Sequence, residues 1–194
     1  MSRPVRRRFG RVYPGVGWIV WRDAASLPED LIFWVNYLGD DMPTFALNFS
    51  RPGAQVVAQY YNFLRLGVEG YRRVQGYARE VATYLAAEIE KLGPFDLLTR
   101  GDELPVFAFT TKPEVDRYTV FDVSNALRER GWQVPAYTFP EHRTDLAALR
   151  VVVRRGVTRD LADMLLEDLQ RHLSRLEKQA APVHDAASAS GFKH

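Results

Sequence analysis

Pro105-Val106-Phe107-Ala108-Phe109-Thr110-Thr111 sets Val106, Ala108 and Thr110 against Phe107 and Phe109 in strict alternation, the pattern of a strand with one face buried. The preceding run, Phe95 to Arg100, is a second strand candidate. Thr119 to Arg130 then changes period. Val120, Val123, Ala126 and Leu127 fall on one side of a helix, and Gly131 follows as its stop. Gln133 to Phe139 and Leu146 to Arg154 return to strand character. Asp160 to Leu176 closes the series as a helix behind a Thr158 cap, with Leu161, Leu165, Leu169, His172 and Leu176 on one face. Strand, strand, helix, strand, strand, helix is the order of an antiparallel sheet covered on one side, so the fold class is α/β in the α+β sense.

Working outward, Ala54 to Leu92 recurs at three- and four-residue steps (Val57, Tyr60, Tyr61, Leu64, then Val74, Ala78, Val81, Leu85 and Ile89). Gly67 and Gly70 predict a kink or a break into two helices. Before it, Trp18 to Trp21 reads as a short buried strand. Pro28 to Leu38 carries helix signals, with acids Glu29 and Asp30 in the first turn and Gly39 as the stop. Thr44 to Pro52 alternates Phe45, Leu47 and Phe49 and ends on Ser50-Arg51-Pro52. Proline stops strand pairing there, so the hydroxyl and guanidinium stand at a strand end, placed either to hold an anion or simply to face solvent.

Composition narrows the function classes. The 194 residues are 46% hydrophobic and 12% aromatic with four Trp, enough for a substantial core. The absence of cysteine excludes disulfides, thiol nucleophiles and Cys-ligated metals, and fits a cytoplasmic protein. No apolar run is long enough for a bilayer, and the basic N-terminus has no apolar segment of a secretory signal behind it. Residues 1–11 hold Arg3, Arg6, Arg7, Arg8 and Arg11 and no acid, so the rest of the chain carries a formal charge of −3 within the total of +2. Nucleic-acid binding would therefore rest on this arm alone, which is expected to be unstructured. Glycine-rich phosphate loops, nucleophile elbows and paired metal-binding histidines are missing. Arg150 stands out because it interrupts the apolar run Leu149 to Val153. It must be paired with an acid or face a site that takes a carboxylate.

Gly17-Trp18-Ile19-Val20-Trp21-Arg22-Asp23, Tyr37-Leu38-Gly39, the Thr44–Pro52 stretch, Gln59-Tyr60-Tyr61, Gly131-Trp132-Gln133-Val134-Pro135-Ala136, Leu149-Arg150 with Arg154-Arg155-Gly156, and Phe192-Lys193-His194 occur in that order. Together they resemble the C-terminal part of bacterial glutamate decarboxylase, a pyridoxal-phosphate-dependent group II decarboxylase of fold type I. The resemblance implies decarboxylation of L-glutamate to 4-aminobutyrate in a dimer-based homo-oligomer, with no membrane. It implies that Ser50, with Phe49 beside it, donates to the cofactor phosphate, that Arg150 holds a substrate carboxylate, and that His194 belongs to a regulatory tail. Arg8 stands where the family has the lysine that binds the cofactor covalently, and a guanidinium cannot take that role. The resemblance fades upstream of Val12, as at a frameshift, a fusion scar or a misread start. No catalytic residue is therefore assigned, and the chain alone is expected neither to hold the cofactor tightly nor to decarboxylate. The implied organisation is an arm (1–11), a remnant of the large cofactor-binding domain (12–53), a linking helix or pair of helices (54–93), a small α/β domain (94–178) and a mobile tail (179–194). A non-catalytic α/β interaction module is the alternative, with Trp18, Trp21, Phe33 and Trp34 as its uncovered aromatics.

Overall fold

The computed structural model describes residues 3–5, 12, 13, 16–36, 39–44 and 52–179. The chain divides into two compact units after Tyr71. In the first, β1 (Arg3–Val5) pairs antiparallel with β2 (Trp18–Val20), so part of the arginine arm is ordered where the sequence reading expected none. β2 is not buried: Ile19 and Val20 are both 61% exposed. The helix expected over 28–38 is replaced by a single 3-10 turn, Glu29–Leu31, and by β3 (Phe33–Val35), which pairs with β4 (Met42–Thr44). The reason is local. Ile32 to Val35 is a β-branched and aromatic run that favours a strand, and the acids and proline before it carry only one turn. Thr44 ends β4, and Phe45 to Arg51 lie outside the described residues.

α1 (Ala54–Lys91) follows, and its kink falls at Gly67, whose φ of 56° and ψ of −174° belong to a region open essentially to glycine. The two halves differ in burial. Beyond the kink Ala78, Val81, Ala82, Leu85, Ala86 and Ile89 are all buried. Before it the apolar stripe is exposed, with Val57, Tyr60, Tyr61 and Leu64 facing outward.

The second unit carries the predicted module. β5 (Phe95–Arg100), β6 (Val106–Thr111), β7 (Ala136–Thr138) and β8 (Ala147–Val152) form an antiparallel sheet in the order β5-β6-β8-β7. α2 (Val120–Glu129) and α3 (Arg159–Leu176) complete it. Thr119 and Asp122 close a capping box at the start of α2, and Gly131 takes φ 85° just past its end. Thr158 caps α3 through Leu161 N–H.

One sheet face is apolar. Phe95, Phe107, Phe109, Leu149 and Val151 pack with residues of α1, α2 and α3 into a single core. The α3 face is the expected one from Leu165 onward, widened by Ala162, Leu166 and Leu173. Ala162, Leu165, Leu166, Leu169, His172, Leu173 and Leu176 are buried, while Leu161 at the first turn is not. β7 is also shorter than the expected 133–139 strand. Pro135 has no N–H to offer the ladder, and the Val134 carbonyl accepts from the Ser124 hydroxyl of α2 at 2.6 Å instead.

His172 sits in this core 5% exposed, and its Nε2 has no hydrogen-bond partner. Burial, and then the Arg175 charge, lower its pKa below the ordinary 6.5; Glu129 and Asp168 act in the opposite sense and Arg130 in the same one. The neutral form is therefore the folded form, and its contribution to stability is complete above about pH 6.5 and lost as the pH falls below it. Denaturant melts between pH 7.5 and 5 are expected to show stability falling towards acid, and His172→Leu is expected to flatten that slope. An unchanged slope would mean that another group carries it.

Candidate functional site

Register determines which residues share the second sheet face. In β6 and β8, Phe107 opposes Val151, Ala108 opposes Arg150 and Phe109 opposes Leu149. Alternation then places Ala108, Thr110, Ala148 and Arg150 on the face turned away from the helices. In β7 and β8, Tyr137 opposes Ala148. Tyr137 therefore joins this face, one diagonal step from Arg150. β5 adds Asp96 opposite Thr110 and Thr99 opposite Ala108, across a register shift between Leu97 and Thr99. At that bulge the Thr99 hydroxyl accepts from Ala108 N–H at 2.9 Å, replacing a ladder bond.

Arg150 is exposed on this face, and its guanidinium carbon lies 5.4 Å from the centre of the Tyr137 ring, within cation–π range. No described carboxylate forms an ion pair with it. The paired-acid reading of Arg150 is thus not realised among the described residues. Its backbone N–H donates to the Pro135 carbonyl at 3.1 Å, which continues the β7–β8 pairing and fixes where the side chain leaves the sheet. Tyr137 also stacks on Phe139, with ring centres 5.8 Å apart and planes 21° from parallel. Beneath these larger side chains Ala148 is fully buried and Ala108 nearly so. The exposed guanidinium keeps N–H donors that suit a carboxylate in shape and charge.

Ser50, Phe49, Arg8 and His194, the other residues singled out from the sequence, lie outside the described residues. The described lysines are Lys91, which ends α1 and pairs with Glu88 at 2.7 Å, Lys112 just past β6, and Lys178 just past α3. Among the described residues no group of acids and histidines could hold a metal ion, and no helix is long and apolar enough to cross a membrane.

The sequence reading missed two features. Tyr137 is one; its signal was the alternation Tyr137-Thr138-Phe139 facing Arg150 across one strand pair. The other is Asp168 on α3, buried to 9% of its side chain, which accepts from Trp132 Nε1 at 2.8 Å, Arg130 Nε at 3.1 Å and Arg171 Nη1 at 3.3 Å. The Trp132 hydrogen bond and then the Arg130 and Arg171 charges hold its carboxyl below the ordinary carboxylate range. Nothing local in the sequence links positions 132 and 168.

The second unit is a helix-backed antiparallel sheet, and the chain's solved neighbours are fold-type-I pyridoxal-phosphate enzymes. The solved glutamate decarboxylase of Lactobacillus brevis superposes with a TM-score of 0.81 at 42% identity, over 91% of this chain and 41% of that one. A sphingosine-1-phosphate lyase from Burkholderia pseudomallei shares the fold with a TM-score of 0.71 at 24% identity, over 89% of this chain and 37% of that one. In sequence, residues 6–112, more than half of the chain, match the pyridoxal-dependent decarboxylase conserved domain. The chain belongs to the pyridoxal-dependent decarboxylase family. It is 50% identical over 192 residues to the glutamate decarboxylase of Aliivibrio fischeri, covering 96% of this chain and spanning 41% of that relative's length.

Proposed function

We propose that this chain supplies the carboxylate-recognising wall of a pyridoxal-phosphate-dependent glutamate decarboxylase, the enzyme class that converts L-glutamate to 4-aminobutyrate and CO2. The observation that carries the proposal is Arg150, exposed over the Tyr137 ring on the helix-free sheet face and unpaired with any described acid. Its fork of N–H donors matches a carboxylate in shape and charge. Half identity to a glutamate decarboxylase across nearly the whole chain supports the choice of substrate.

The described residues fit only part of a cofactor site. They offer a cation for a carboxylate, whereas position 8, where the family lysine would stand, is an arginine. Pyridoxal phosphate, where bound, supplies the sink for the electron pair that departing CO2 leaves behind. What this chain's described residues contribute is binding and orientation. Under the same proposal Ser50 and Phe49 contact the cofactor, Arg8 occupies the place of the family lysine without its chemistry, and His194 belongs to a regulatory tail. Residues 12–53 belong to the cofactor-binding part, 54–93 link it to the small domain at 94–178, and the assembly is a cytoplasmic, dimer-based homo-oligomer.

Complementation tests this. Co-expression of the Arg8→Lys variant, which restores an amine at the place of the family lysine, with the segment of the Aliivibrio fischeri relative that precedes the matched region is expected to form 4-aminobutyrate from L-glutamate when pyridoxal phosphate is present. Arg150→Met is expected to lower kcat/KM by on the order of 10²-fold, the consequence of removing a charged, bidentate contact. An assembled complex equally active with Met at position 150 would overturn the assignment.

A further inference from the structure

We propose that Tyr137 is a positioning residue for Arg150, holding the guanidinium ready for a substrate carboxylate; this rests on the reading of Arg150 given above. An arginine side chain has many rotamers, and an exposed one without an acidic partner is free to sample them. Arg150 is exposed and has no described acidic partner, yet its guanidinium lies over an aromatic ring at 5.4 Å. A ring beneath the guanidinium carbon restrains the group without occupying its N–H donors, whereas a carboxylate partner would use them. The restraint therefore leaves the donors available to a ligand.

The ring is itself held. Tyr137 lies in β7, opposite the fully buried Ala148, and Phe139 stacks against it. The start of that strand is tied to α2 by the Ser124 hydroxyl on the Val134 carbonyl, and to β8 by Arg150 N–H on the Pro135 carbonyl. α2, β7 and β8 thus converge on one geometry for the Tyr137–Arg150 pair. Because the same contact exists before and after a ligand arrives, Tyr137 serves ground-state and transition-state binding alike, and its loss belongs in KM rather than kcat. The aromatic ring is the working part; its hydroxyl has no described role in the pair.

The test uses the full chain labelled with 15N and 13C, with the Arg150 side-chain signals assigned through their loss in Arg150→Lys. In the wild type the Arg150 δ-methylene protons are expected upfield, displaced by the ring, and to shift saturably on titration with L-glutamate. Tyr137→Leu, which keeps apolar bulk, is expected to remove the displacement and to weaken L-glutamate binding roughly twofold to fivefold, the range for one exposed cation–π contact. Tyr137→Phe is expected to keep both. In the complemented enzyme Tyr137→Leu should raise KM by a similar factor at unchanged kcat. Wild-type shifts and affinity in Tyr137→Leu would overturn the positioning role while leaving Arg150 as carboxylate ligand. A wild-type Arg150 signal that carries the ring displacement but ignores L-glutamate would instead overturn the carboxylate reading, and the proposal with it.

Discussion

Phe109→Ala is expected to destabilise the second unit by about 3–5 kcal/mol, the range for emptying a large aromatic site in a core that only partly collapses. Phe109 is 1% exposed in β6, the strand flanked by β5 and β8, opposite Leu97 on one side and Leu149 on the other. Phe95 meets its ring edge-on at 5.0 Å, and Phe107 stacks at 6.0 Å. Each such ring pair contributes beyond the area it buries, roughly 0.5–1.5 kcal/mol. Domains of this size hold only about 5–15 kcal/mol in total, so the substitution removes a large share of it. Phe109→Leu fills most of the volume and is expected to cost far less. Urea titration followed by circular dichroism checks both, and a loss under about 1 kcal/mol for alanine would contradict the packing described here.

Asp168→Ala is the second large effect, with a fall in Tm on the order of 5–10 °C for a unit of this size. Its carboxylate gathers Trp132, Arg130 and Arg171, and so joins the end of α2 to α3. The two arginines are more than half exposed and regain water when the carboxylate is removed. Trp132 Nε1 loses its acceptor, and that loss dominates. Asp168→Asn retains an oxygen for the indole and should recover most of the Tm. If alanine and asparagine melt alike, the charge rather than the indole bond carries the effect. Calorimetric scans at neutral pH separate the two, since the carboxylate is ionised there, its pKa being lowered.

The Tyr137–Arg150 pair and the Asp168 centre show why so much of the site was illegible in one dimension. Arg150 could be singled out, because a charge inside Leu149–Val153 breaks a pattern. Whether an acid or a ring would meet it depended on which strand lay beside β8. The elements of the second unit were legible because alternation, helical period and caps such as Thr119 and Thr158 are local signals. The stretch from residue 28 to 36 was misread because helix-start signals lasted one turn, after which Phe33–Val35 found a partner in Met42–Thr44.

Sequence by itself therefore determined the succession of elements from Phe95 to Leu176, the break at Gly67 and the family resemblance, since each rests on residues near one another or on an ordered set of motifs. Tertiary structure alone decided that Arg150 faces away from the core and lies over Tyr137, that Asp168 collects Trp132 and two arginines, and that the first half of α1 leaves its apolar stripe exposed. The physical reason is that strand register and helix rotation result from packing the whole core at once. A one-residue slip of a strand would send its side chains to the opposite face, and the same slip of a helix would turn its buried stripe by about 100°.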